Sequence, residues 1–171
     1  GFTVTIDASG NLTIDASVGG VVPASGYTFD YQITNSAGSS VATVTVDIVE
    51  APLPVADAYT FLFNADQNIP AGTGLLNNDA LGSPAGTLDF FGGGDLGGTV
   101  TSNAAGSSVS LAGGTLTVNT DGSWTLTGQP FTPGQYTFDY QVTNTEGSNT
   151  ATVTLNIQQA PTAQDDSPAL P

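Results

Sequence analysis

Residues 27–48 read YTFDYQITNSAGSSVATVTVDI and residues 136–157 read YTFDYQVTNTEGSNTATVTLNI, identical at 15 of 22 positions and offset by 109. Apolar side chains alternate with polar ones throughout. Tyr136, Phe138, Tyr140 and Val142 fall on one face, with Thr137, Asp139, Gln141 and Thr143 on the other. Ala151, Val153, Leu155 and Ile157 repeat the scheme against Thr152, Thr154 and Asn156. A period of two is that of a strand with one buried face, because successive side chains of an extended chain point to opposite sides. Two such runs separated by a short loop around Gly147 read as a hairpin. The stretch therefore predicts an all-β fold.

Working outward, residues 2–15 (FTVTIDASGNLTID) align with 114–127 (GTLTVNTDGSWTLT) at an offset of 112, so the first copy carries three extra residues before Tyr27. Ala51-Pro52 aligns with Ala160-Pro161. The repeat analysis divides the chain into the closing half of one repeat (1–50), a complete repeat (51–158), and a linker with the start of a third (159–171), with a period of about 109 residues. Gly1 in place of Met leads to the expectation of a processed chain or a window on a longer one. Leu116 to Val118 and Trp124 to Leu126 flank Asp121-Gly122, a turn dipeptide that tolerates positive φ. Tyr59, Phe61 and Phe63 make an opening strand, Leu88 with Phe90 another, Val109 with Leu111 a third, and a weak strand is expected near Val100. About eight short strands in some 100 residues, with no helical periodicity, is the pattern of an immunoglobulin-like sandwich. Tyr136, near the start of a late strand, is the expected tyrosine corner, whose hydroxyl bonds back to the backbone.

The phase of the repeat matters. Residues 1–50 lack the opening strands, about 60 residues in the other copy, and would present an uncovered apolar face. A neighbouring repeat or a neighbouring subunit is expected to complete them, head to tail.

Composition narrows the chemistry. The chain has 171 residues, 13 Asp, 2 Glu and no Lys, Arg, His, Cys or Met, for a formal charge of −15. Nucleic acids and anionic membranes are bound through basic side chains, so neither is an expected partner. Serine–histidine triads, thiol nucleophiles, Schiff bases and His/Cys zinc sites lack their residues. No apolar run reaches the length of a membrane span. Hydrophobic residues at 39% still supply a core. With no cationic side chain, the carboxylates must be compensated by water, backbone N–H groups or bound cations.

Several segments taken in order resemble a known family. Pro161-Thr162-Ala163-Gln164-Asp165-Asp166 opens a repeat, and Leu75-Leu76-Asn77-Asn78-Asp79 follows in the complete copy. Gly114, Leu116, Asp121-Gly122-Ser123-Trp124, the Tyr136-x-Phe138-x-Tyr140-x-Val142 run and Ala151-Thr152-Val153 complete the set. Their order and spacing are similar to the bacterial cadherin-like and VCBS-type immunoglobulin-like tandem repeats of long secreted surface proteins. The resemblance implies an extracellular, non-catalytic spacer or adhesive stalk, stiffened by Ca²⁺ at repeat junctions. Asp57, Asn77, Asn78, Asp79, Asp165 and Asp166 are the candidate Ca²⁺ ligands, since carboxylates and amide oxygens in loops near the boundaries supply the oxygens this cation takes. The complete copy departs from the pattern by opening Pro54-Val55-Ala56-Asp57-Ala58, without the Asp-Asp pair, and Asn35 and Asn144 stand where the family often has Asp.

Other signals weigh less. Glycoside hydrolysis needs two carboxyl groups across a cleft, and the two Glu, Glu50 and Glu146, lie in segments with no sign of a buried site. The Phe90 to Gly98 run is Gly-rich but lacks the Lys of a phosphate loop, and reads as a flexible loop. Asn11-Leu12-Thr13 is a lone glycosylation sequon. The sequence therefore points to a structural repeat of an extracellular fibre, either a filament subunit or an adhesin stalk. The alternative, a carbohydrate-binding module, requires exposed aromatics, whereas the strand pattern buries Trp124 and the Tyr rows.

Overall fold

The computed structural model describes residues 3–15, 27–47 and 49–164. The chain forms two compact units, Gly1–Val49 and Glu50–Pro171. Both are built from strands, and the only helical pieces among the described residues are single 3-10 turns.

The second unit is a two-sheet sandwich. One sheet has the order β6 (Gln67–Ile69), β11 (Trp124–Thr127), β10 (Gly114–Val118), β9 (Ser108–Leu111). The other runs β5 (Asp57–Leu62), β13 (Gly147–Gln158), β12 (Gly134–Asn144), β7 (Thr87–Gly92), β8 (Asn103–Ala104). All pairings are antiparallel except β5 with β13, which is parallel. Side-chain alternation does what the sequence pattern requires. Phe138, Tyr140 and Val142 from β12 and Val153, Leu155 and Ile157 from β13 face Leu116, Val118, Trp124 and Leu126 from the opposite sheet, all buried. Trp124 is 0% exposed and meets Tyr59 edge-on, with ring centroids 4.9 Å apart. Phe91 meets Phe138 edge-on at 6.3 Å.

Three local expectations change. Leu88 and Phe90 do not share a face: the register of β7 on β12 shifts between Gln141 and Val142, leaving Asp89 as an extra residue. That bulge turns Leu88 and Phe91 inward instead. The weak strand at Val100 is a 3-10 turn, Val100–Ser102, closed by reciprocal bonds between Thr99 and Ser102, and the strand follows as β8. The Gly-rich run folds over the end of β7 as a second 3-10 turn, Gly94–Leu96. There β7 has left the ladder opposite Asp139, and Asp95 Oδ2 accepts the Thr137 N–H at 2.6 Å in its place.

The first unit consists of two hairpins. β1 (Thr3–Ile6) pairs with β2 (Leu12–Asp15), and β3 (Tyr27–Asn35) pairs with β4 (Gly38–Val46). The registers reproduce those of the second unit at the sequence offsets: Ile6 opposite Leu12 matches Val118 opposite Trp124, and Tyr31 opposite Ala42 matches Tyr140 opposite Ala151. None of its described residues is buried. Ile48 lies outside the described residues.

Candidate functional site

Two of the proposed ligands converge on one buried hydroxyl. Antiparallel bridges Glu50 to Ser83 and Leu53 to Ala80 hold the opening segment of the second unit along the 75–86 loop. This places Val55 beside Asp79, whose Oδ1 accepts the Val55 N–H at 2.7 Å. Asp57 begins β5, and β12, two strands along the same sheet, delivers Tyr140, 0% exposed. Four oxygens surround Tyr140 Oη: Asp79 Oδ2 at 2.9 Å, Asp79 Oδ1 at 3.0 Å, Val55 O at 3.1 Å and Leu75 O at 3.2 Å. A phenol has one proton to donate, so the cluster is rich in acceptors and short of hydrogens.

Asp57 sharpens that imbalance. Its Oδ2 is buried with no hydrogen-bond partner. Burial pushes its carboxyl up to about 6, the nearby Asp79 charge adds to this, and the Tyr140 hydroxyl and Asn78 amide pull the other way. Burial likewise raises Asp79, against the stabilising bonds from Val55 N–H and Tyr140. Tyr140 is raised by burial first and by the two carboxylates next, so it stays a donor. The arrangement ties the opening segment, the 75–79 loop and the central strand β12 together through one side chain.

Of the other candidates, Asn77 is exposed in the turn after Leu75, its N–H donating to Gly74 O at 3.2 Å. Its neighbour Asn78 faces the opening segment, with Nδ2 at 3.5 Å from Ala56 O. Asp165 and Asp166 lie outside the described residues. Among the described residues no three acidic side chains converge as a metal cluster. Glu50 and Glu146 are both exposed, and Glu146 sits at the hairpin turn bonded to Thr145. The tie to the backbone expected of Tyr136 is made by Tyr140 four residues on, while the Tyr136 ring lies over Gly134 and the rim of the core. Strand alternation identified both tyrosines as inward-facing, but nothing local distinguishes which hydroxyl reaches a carbonyl across the sandwich.

Sequence comparison adds the family. The model for the bacterial Ig domain matches residues 50–156, all of the sandwich but the last two residues of β13, including its Tyr140 tie. The chain belongs to the bacterial Ig domain family. Bacterial Ig domains are generally non-catalytic and typically occur in surface proteins. No helix of this bacterial Ig domain protein, among the described residues, is long and apolar enough to cross a membrane. No curated protein matches the chain. Among solved structures it is similar to a chimeric titin Z1Z2-Z1Z2 tandem functionalized with a GRGDS exogenous peptide from fibronectin. The identity is 19% over 92% of this chain and 75% of that one, with a TM-score of 0.36.

Proposed function

We propose that this bacterial Ig domain chain is a non-catalytic structural repeat of an extracellular surface fibre, as a filament subunit or an adhesin stalk, with repeats in tandem head to tail. The observation that carries the reading is the recurrence of the same two hairpins, in the same registers, at offsets of 109 and 112. A polypeptide that repeats a sandwich in series transmits force along backbone ladders and presents no cleft of its own. The carbohydrate-binding alternative needs a row of exposed aromatics: Trp124 and Tyr140 are both 0% exposed, and of the tyrosine rows expected to be buried Tyr31 departs, at 40% exposed, a single ring that makes no stacking platform. Asp79, although close to Asp57, spends its oxygens on Val55 N–H and Tyr140, groups of the fold itself. That is the arrangement of a structural tie, not of an acid–base pair.

The Ca²⁺ expectation belongs to the same proposal. Asp57 Oδ2 is the acceptor left without a partner, and Asp79 supplies a second carboxylate beside it. Both are hard oxygen donors of the kind this cation takes, and Asn77, Asp165 and Asp166 are the further ligands proposed at the repeat junction. A melting temperature that rises with millimolar Ca²⁺ and falls with EDTA is the expected result; identical values in both would remove the metal from the proposal.

For the fibre itself the test is negative-stain microscopy of the native material with surface immunolabelling. Elongated, beaded or filamentous particles on the outer surface, with an axial repeat of one or two domains, are expected. Compact particles confined to the cell interior would refute it.

A further inference from the structure

The Gly-rich run closes an edge that the sheet leaves open. β13 pairs with β12 along its whole length, from Gly134 to Asn144, whereas on the other flank β7 pairs only with residues 139–143. Residues 134–138 of β12 therefore have a neighbouring strand on one side only. In an antiparallel strand successive residues direct their N–H and C=O groups to alternate flanks. Thr137 points its N–H away from β13, toward Asp95, so Gln135, two residues earlier, points its own the same way.

A free flank of this kind is a template for pairing with another chain, and folds manage it by covering it or by setting a charge on it. Both devices are present. The turn Gly94–Leu96 lies along the flank, with Asp95 Oδ2 accepting the Thr137 N–H at 2.6 Å and the Thr137 hydroxyl at 3.3 Å. Glycine is what lets the backbone come so close. A Cβ on Gly94 would collide with Thr137 O, and one on Gly93 would stand 2.9 Å from Asp139 Oδ2, while both residues have positive φ. At the base of the loop the Gly93 N–H donates to Gly97 O at 3.1 Å, and Leu96 packs against the core. Among the described residues, the side-chain hydrogen bonds from this loop to β12 are those of Asp95.

What the flank can take follows from its own composition. Gly134 to Phe138 carries no charge, and in a chain of net charge −15 without a cation that is a stretch where two copies can approach each other. It is also self-complementary. Antiparallel pairing of two copies centred on Tyr136 sets Gln135 opposite the other copy's Thr137 and Thr137 opposite its Gln135, and each pair exchanges both main-chain bonds. Asp95 bars this twice, by occupying the Thr137 N–H and by placing a carboxylate where the second copy would bring its own.

We infer that residues 134–138 of β12 are a strand-docking edge for the same edge of a second copy, and that the Gly93–Gly98 loop is the cap that keeps it closed. The inference concerns lateral pairing of one sheet with another and does not depend on the fibre reading.

Hydrogen exchange and sedimentation velocity of the 171-residue chain and two variants test it. In the parent, the Thr137 amide is expected to exchange within about 10-fold of the Gln141 amide, which β7 covers; exchange at the rate of an open chain would overturn the cap. Asp95 is exposed, so Asp95→Ala removes the acceptor and is expected to leave the folded core reported by Trp124 intact. In dilute Asp95→Ala the Thr137 amide is expected to exchange about 10-fold or more faster than in the parent. As concentration rises, the Gln135 and Thr137 amides should slow together while dimers appear in sedimentation. Gln135→Pro takes away the N–H of the free flank without touching the β13 ladder, and added to Asp95→Ala it is expected to restore the parent's sedimentation profile. An Asp95→Ala chain that sediments like the parent at every concentration overturns the inference. So do dimers that persist with Gln135→Pro, which would put the contact elsewhere on the molecule.

Discussion

Asp57→Asn tests the account of the Tyr140 cluster most directly. In the unfolded chain this carboxyl titrates near 3.8, and in the fold burial raises it to about 6. Between those values the folded state holds more protons than the unfolded one. Stability is therefore highest below about pH 4, falls as pH rises through the window, and levels off above about 6. A displacement from 3.8 to about 6 corresponds to at most about 3 kcal/mol. The group is only part-buried, and solvent screening brings the figure to about 1–2 kcal/mol.

Asparagine does not ionise, and its Nδ2 brings two protons to a cluster whose acceptors outnumber its donors. The variant is expected to gain about 1–2 kcal/mol at neutral pH, a rise of roughly 4–10 °C in Tm, and almost nothing at pH 4. Urea titrations at a series of pH values, followed through the single tryptophan, Trp124, report the second unit alone. Asp79 is raised for the same reason and acts in the same sense, whereas Asp121, lowered by Ser123, acts below the window. A variant that is less stable at neutral pH, or a parent whose stability is flat between pH 4 and 6, would refute the reasoning.

Asn144→Asp removes the donor that serves Glu50 O at 2.7 Å and Pro84 O at 2.8 Å and sets a carboxylate against both carbonyls. A loss of about 1–3 kcal/mol in urea unfolding is expected near neutral pH, shrinking under acid where the carboxyl regains a proton. Gly122→Ala must place a Cβ at φ +79°, 2.7 Å from Leu76 Cγ and 2.8 Å from Leu76 N. The expected loss is about 2 kcal/mol or more, with Tm as the measurement, and an unchanged Tm would contradict the turn geometry. Acrylamide should barely quench Trp124 in the folded chain and quench it freely in urea; efficient quenching of the native state would reopen the sugar-platform reading.

How far the sequence could be read depends on the range of the interactions involved. Period-two alternation in β12 and β13 is local, since it records which face of one strand is wet, and every inward residue from Phe138 to Ile157 follows it. The repeat made the registers of both hairpin pairs legible twice over. The Asp89 bulge was not legible, because nothing in Leu88-Asp89-Phe90-Phe91 says which of two adjacent phenylalanines will face a sheet that arrives from residues 138–142. The site shows the same division. Asp57 and Asp79 could be named as acidic loop residues near a boundary, but their meeting on Tyr140 spans 61 positions or more and depends on how β12 passes behind the opening segment. The asparagine at 144, a departure from the family pattern in sequence, has a local reason in the structure: two carbonyls there need a donor, which aspartate lacks at neutral pH.

The absence of Lys and Arg acquires a physical reading from the hydrogen bonds. Compensation by backbone N–H groups is present, as Asp66 accepts from Gly128 and Gln129 and Asp95 from Thr137. A further source, not expected from the charge count, is the threonine hydroxyl. Thr43 donates to Asp30 and Thr152 to Asp139, both at 2.6 Å, across the same rungs of equivalent hairpins. An O–H donor on the neighbouring strand stabilises a carboxylate without adding a positive charge, so the strand faces stay hydrogen-bonded while the surface keeps a single sign. Such a surface supplies no attraction between side chains of neighbouring units. In the proposed fibre, what holds repeats together would have to come from apolar burial, backbone pairing, chain connectivity or bound cations, with salt reducing the repulsion that remains. In the second unit the Asp57–Asp79–Tyr140 cluster is the place where burial makes a proton on Asp57 do part of what a lysine does in other folds.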